Sequence, residues 1–176
     1  MAGDQVRSAL GAEAVSWFEQ RAPGALVHLG RLRSQHEEQW ALEDRSRGRR
    51  ASSADIARAK AGIDALNADR HRLIDAVDAA VVPEPIRSGR AHQLPDVPSH
   101  VQNSRSYGET PGELCDRLLI IGLKLERAAS NGGSHAPGLR AWQAHLQCHL
   151  GELLGDLAAG RALLPPRAEV KVYADR

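Results

Sequence analysis

From Gly24 to Arg47 the residues Leu26, Leu29, Leu32, His36, Trp40 and Glu43 recur at steps of three and four, the spacing of one face of an α-helix. Gly48 interrupts the pattern, and Ser52, Ser53 and Asp55 offer side-chain acceptors to start a second helix. That helix runs roughly from Ala54 to Val82, with Ile56, Ala59, Ile63, Leu66, Leu73, Val77 and Ala80 as its apolar seam and Arg70 in a seam position. Lys60, Asp64, Asn67 and His71 run beside the seam. Pro83 and Pro85 end the helix.

Thr110-Pro111-Gly112-Glu113 reads as a helix start: a Thr cap, Pro at the first helical position and Glu at the capping-box position. The helix continues to about Ala129 on a face of Leu114, Leu118, Ile121 and Leu125. Leu139, Trp142, Leu146, Leu150, Leu153 and Leu157 make a fourth, closed by Gly160 and Pro165-Pro166. The pattern predicts a single all-α domain: a bundle of four main helices with a long proline-rich connection and an extended C-terminal tail. Residues 1–22 read as flexible or as a short helix near Glu13 to Gln20. Of the nine prolines, four fall between residues 83 and 98, so 83–108 is read as a long loop, either a lid or disordered.

Composition narrows the picture. Aromatic residues are only 3% of the chain against 42% hydrophobic, so the core must be aliphatic, which suits packed helices. The formal net charge of +1 gives no general attraction to nucleic acid or anionic membranes, and neither is expected as a partner. No secretory leader or membrane-length apolar run is visible, so the protein reads as cytoplasmic. Both cysteines, Cys115 and Cys148, read as buried free thiols. The row His145, His149, Glu152, Asp156 has a spacing that suits a metal, but it reads first as an exposed polar face. No metal or cofactor is assigned.

The candidate chemistry lies where charge borders the seams. Asp116, Arg117 and Lys124 stand inside the apolar run of the third helix, and Asp116 and Lys124 share a side through Ile120. Helix one carries His36, Glu43 and Arg47 near its seam, and helix two carries Lys60, Asp64, Asn67 and Arg70. Such residues on three helices predict one polar pocket between them, because buried charges cost several kcal/mol unless paired. Lys60, Asp64 and Asn67, with Glu43 or Arg47, are expected across that pocket from Asp116 and Lys124.

"QWALEDRSR", "KAGIDALNADR", "ETPGELCDRLLIIGLK" and "KVYAD" occur in an order that resembles the bacterial domain of unknown function 4254 family. The resemblance spans about residues 26–175 and implicates Trp40, Glu43, Asp44, Arg47, Lys60, Asp64, Asn67, Arg70, Glu109, Thr110, Asp116, Arg117, Lys124, Lys171, Tyr173 and Asp175. His36 and Ala174 stand where the family pattern has asparagine. The resemblance implies an association with envelope-glycan and other biosynthetic functions, and no defined reaction.

Two readings follow. In the first the chain is a small-molecule enzyme or ligand-binding protein: Arg47, Lys60, Arg70, Arg117 and Lys124 hold an anionic or hydroxyl-rich group. Asp44, Asp64, Glu109 or Asp116 then supplies any acid–base chemistry. Lys171 or Tyr173 of the tail closes the site. In the second it is a helical accessory protein, with homodimerisation open, whose charged seam is an interface.

Overall fold

The computed structural model describes residues 2–48, 51–83, 86, 104–130 and 136–165. It is all-α, with six helices among the described residues where the pattern predicted four main ones. These are α1 (Ala2–Leu10), α2 (Ala12–Arg21), α3 (Pro23–Ser46), α4 (Ser53–Val81), α5 (Pro111–Ser130) and α6 (Ala136–Ala158). Of the first two, α2 falls where the short helix near Glu13 to Gln20 was the alternative to a flexible segment, and α1 is the addition.

The N-terminal segment is not a flexible lead-in. Val6, Ala9 and Leu10 of α1 and Ala14, Val15 and Phe18 of α2 are all buried in the common core. Their turn needs Gly11 at a φ of 87°, a left-handed conformation that glycine adopts without the penalty a side chain incurs. Gln143 and Gln147 of α6 donate to the Ala9 carbonyl at 3.1 and 2.9 Å, satisfying part of the otherwise orphaned C-terminus of α1.

α3 and α4 pack along each other as a long hairpin, and α5 and α6 as a second. Ser52 and Asp55 form a reciprocal capping box at the start of α4. At α5, the Thr110 amide donates to Glu113 at 2.8 Å and the Glu113 amide to the Thr110 hydroxyl at 3.3 Å. The core is aliphatic, as the composition requires: Leu29 and Leu32 of α3, Val77 of α4, Leu114, Leu118 and Leu119 of α5, and Leu150 and Leu153 of α6 are all at 0% exposure.

The only strands among the described residues are β1 (Arg105–Ser106) and β2 (Ala162–Leu163), paired in parallel. The Tyr107 hydroxyl donates to Asp156 at 2.7 Å, and burial together with that bond pushes its phenol up to about 12. Arg161 grips the other Asp156 oxygen at 2.7 Å. Asp156 thus ties β1 and β2 to α6. Glu152 pairs with Arg105 at 3.1 Å, and no cluster of three metal-ligating side chains occurs among the described residues. Cys115 is buried, and burial pushes its thiol well up; Cys148, expected to be buried, is exposed because it falls on the outer side of α6. No described helix is long and apolar enough to cross a membrane. Most of the proline-rich connection, the tail with Lys171, Tyr173 and Asp175, and Arg49, Arg50 and His135 lie outside the described residues.

Candidate functional site

Three helices meet at one carboxylate. Asp116 of α5 is only 2% exposed. The His36 ring of α3 bonds its Oδ1 through Nε2 at 2.8 Å. Arg70 of α4 approaches as a fork, Nε to Oδ1 at 2.8 Å and Nη2 to Oδ2. An ionised carboxylate only accepts, so His36 must carry its proton on Nε2. Burial by itself raises the Asp116 pKa, but the bonds from His36 and Arg70 outweigh it and hold the carboxyl below its ordinary value. The same pairing raises the Arg70 pKa.

Directly beside this triad lies a cleft of about 230 Å³ lined by His36, Gln39, Trp40, Glu43, Arg70, Ile120, Leu123 and Lys124. The α3 members sit at steps of three, one and three, a single stripe of the helix, and Ile120 and Lys124 are one turn apart on α5. At about 30 Å³ per liquid water the cleft has room for roughly eight waters, hence a small metabolite. Its charged members differ in state. Glu43 is occupied by Arg47 at 3.0 Å. Arg70 spends one edge on Asp116, and its side chain remains 30% exposed. Lys124 is exposed and has no ion pair among the described residues.

Trp40 is the aromatic member. The Arg127 guanidinium of α5 lies over its ring, 4.4 Å from the centroid, and Asp44 of α3 holds Arg127 at 2.7 Å. The three form a clamp between α3 and α5 at the cleft's edge.

The residues expected from the sequence fall into separate groups. His36, Trp40, Glu43, Arg70 and Lys124 line the cleft. Asp116 lies beneath it, touching two lining residues without lining it. None of the four carboxylates considered for acid–base chemistry is on the cleft wall: Asp116 is sealed, Asp44 holds Arg127, and Asp64 is exposed. Glu109 forms a two-oxygen pair with Arg117 Nη1 at 2.6 and 2.5 Å. Arg117 also stacks over Trp142 at 5.6 Å, so that pair belongs to the α5–α6 side. Arg47 reaches the site only through Glu43.

Lys60, Asp64 and Asn67 are not in the lining, although they were expected to face Asp116. Lys60 and Asp64 are exposed and Asn67 is half-buried. The reason is helical phase: α4 turns Ala59, Ile74 and Val77 inward, and a position one residue off that line is rotated by about 100°. The cation that reaches Asp116 is the one on the seam, Arg70.

Ile120 is the residue through which Asp116 and Lys124 share a side; Gln39 and Leu123 carry no such mark in the sequence, though Gln39 follows His36 by one turn on the same stripe. Arg127 carries no such signal, since it looks like an ordinary cation in a helix's last turns. Arg33 of α3 also escaped notice. It is 1% exposed and pairs with Glu37 at 3.1 Å and Glu126 at 2.5 Å.

A family model described as Protein of unknown function (DUF4254) matches residues 28–165, which include α4, α5 and α6 entirely and every cleft residue. The chain belongs to the DUF4254 family. No curated protein and no solved structure matches it. The family match begins inside α3, so the buried α1 and α2 lie before it.

Proposed function

We propose that the cleft between α3, α4 and α5 binds a small anionic or hydroxyl-bearing molecule, the chain acting as a ligand-binding protein or small-molecule enzyme. Lys124 carries the reading. It is a cation without an ion pair among the described residues, beside the exposed part of Arg70, at a cleft whose one lining carboxylate is already occupied by Arg47. The local balance is therefore positive, and an anion is the chemistry that complements it. The Asp116 triad supports the cleft by fixing the orientation of His36 and Arg70.

A thermal-shift screen with inorganic phosphate, sugar phosphates and nucleotide sugars tests this. A ligand at a hundred times its dissociation constant stabilises by about 2.7 kcal/mol, several degrees in Tm for a chain of this size. Lys124→Met should remove most of that shift while leaving the unliganded Tm near wild type. A response that is the same in Lys124→Met and wild type would dismiss the cleft. The second reading, a non-catalytic helical accessory protein, is favoured by Ile56, which is 47% exposed on the α3–α4 hairpin. It calls for self-association by light scattering and no response to any anion.

A further inference from the structure

We infer that Trp40, clamped by Arg127 and Asp44, is the specificity-determining residue of the cleft, and that its ligand is a hydroxyl-bearing ring with an anionic substituent. The inference rests on the anion reading above and adds what the rest of the ligand must be. Arg127 lies over one face of the indole yet does not line the cleft. Trp40 itself lines the cleft, which makes it the one aromatic side chain that a ligand there can reach. Asp44 pairs with Arg127 at 2.7 Å, so Arg127 stands over the ring before any ligand arrives, and an aromatic surface with less freedom to lose binds at a lower ordering cost.

The neighbours of Trp40 define the ligand's other edges. Gln39 and Glu43 flank it on the same stripe of α3 and provide amide donors and acceptors and a carboxylate acceptor. These suit hydroxyl groups. Across the cleft, Lys124 and Arg70 supply positive charge for a phosphate or carboxylate, and Ile120 and Leu123 an apolar wall. Arg127 also places a cation against the indole, which disfavours a second cation beside that ring. A flat-faced ring, hydroxyls along one edge and an anion at the end satisfies all of these. The volume of about 230 Å³ accommodates one such ring.

Covering part of an indole face removes on the order of 50 Å² of apolar surface from water, which corresponds to about ten-fold in affinity. Calorimetric titration of the full chain with inorganic phosphate, glycerol 3-phosphate and glucose 6-phosphate reads this directly. Glucose 6-phosphate should bind about ten-fold more tightly than the two ring-free anions. In Trp40→Leu that advantage should fall to within about two-fold, and in Trp40→Phe part of it should survive. Far-UV circular dichroism and Tm establish that both variants are folded, and Arg127→Met, which frees the ring without removing it, should give an intermediate advantage. A ring advantage that persists in folded Trp40→Leu, or glucose 6-phosphate binding no tighter than phosphate, overturns the assignment of Trp40 while leaving the anion site standing. Anion binding indifferent to Lys124→Met instead overturns the anion reading, and this inference with it.

Discussion

A carboxylate that is 2% exposed stays ionised only because its surroundings replace the water it has lost, and for Asp116 those surroundings are His36 and Arg70. Asparagine at this position keeps the shape and one acceptor but turns an amide donor toward a guanidinium donor. Removing one member of a buried pair typically costs about 3–5 kcal/mol; the partial exposure of Arg70 places Asp116→Asn toward the lower end. The cost depends on pH in a defined direction. The folded-state carboxyl is depressed from the ordinary 3.8, so its contribution is present above about pH 4 and is lost as pH falls through the folded value. The stability gap between wild type and Asp116→Asn in urea unfolding should therefore be narrower at pH 3 than at pH 7. An equal gap at both would show that the charge of Asp116 is not what the triad uses.

Among the elements, the entry to α5 from Glu109 to Glu113 has a distinct task for each residue. Glu109 holds Arg117, Thr110 and Glu113 cap α5 reciprocally, and Pro111 opens the helix. Gly112 lets α4 come close: a Cβ there would lie 2.6 Å from the Ile74 carbonyl oxygen and 2.9 Å from Asp78 Oδ1. The Gly112 amide donates to that same Asp78 oxygen at 2.7 Å, so the backbone cannot retreat without losing the bond. Gly112→Ala should cost about 1–3 kcal/mol, the usual range for overpacking. Gly151 in α6 is the contrast, because a Cβ there meets nothing within 4 Å. Gly151→Ala should stabilise by about 0.5–1 kcal/mol through helix propensity. Chemical denaturation of the two variants checks both signs, and a neutral Gly112→Ala would mean that α4 and α5 pack less closely than described.

For the molecule as a whole, α1 and α2 are part of the core even though they precede the family match. Leu10 and Phe18 are at 1% and 0% exposure, and burying a side chain of that size contributes about 1.5–3 kcal/mol. Domains of this kind have only about 5–15 kcal/mol in total. Deleting residues 2–21 should therefore lower the Tm sharply or leave an aggregating chain, as seen by circular dichroism melts and light scattering. An unchanged melt would mean that the segment adds nothing to the core.

Local sequence is enough for the class of fold, for four of the helices and the N-terminal caps of α4 and α5, and for the presence of charge beside the seams of three of them. Periodicity and capping are encoded within a turn or two, so the spacing of Leu114, Leu118 and Ile121 alone assigns them to a buried face. Partner choice is not local. Arg70, Lys60 and Lys124 are all cations within reach of a seam, and only helix phase and the spacing between α4 and α5 decide that Arg70 meets Asp116, that Lys60 faces solvent and that Lys124 stands at the cleft. Arg127 reaches Trp40 across 87 positions of sequence, and α1 docks on α5 where Gly122 admits Ala9. A one-residue change of phase turns a side chain by about 100°, enough to move a charge from the floor of a site to the surface, and the packing of helix on helix sets that phase.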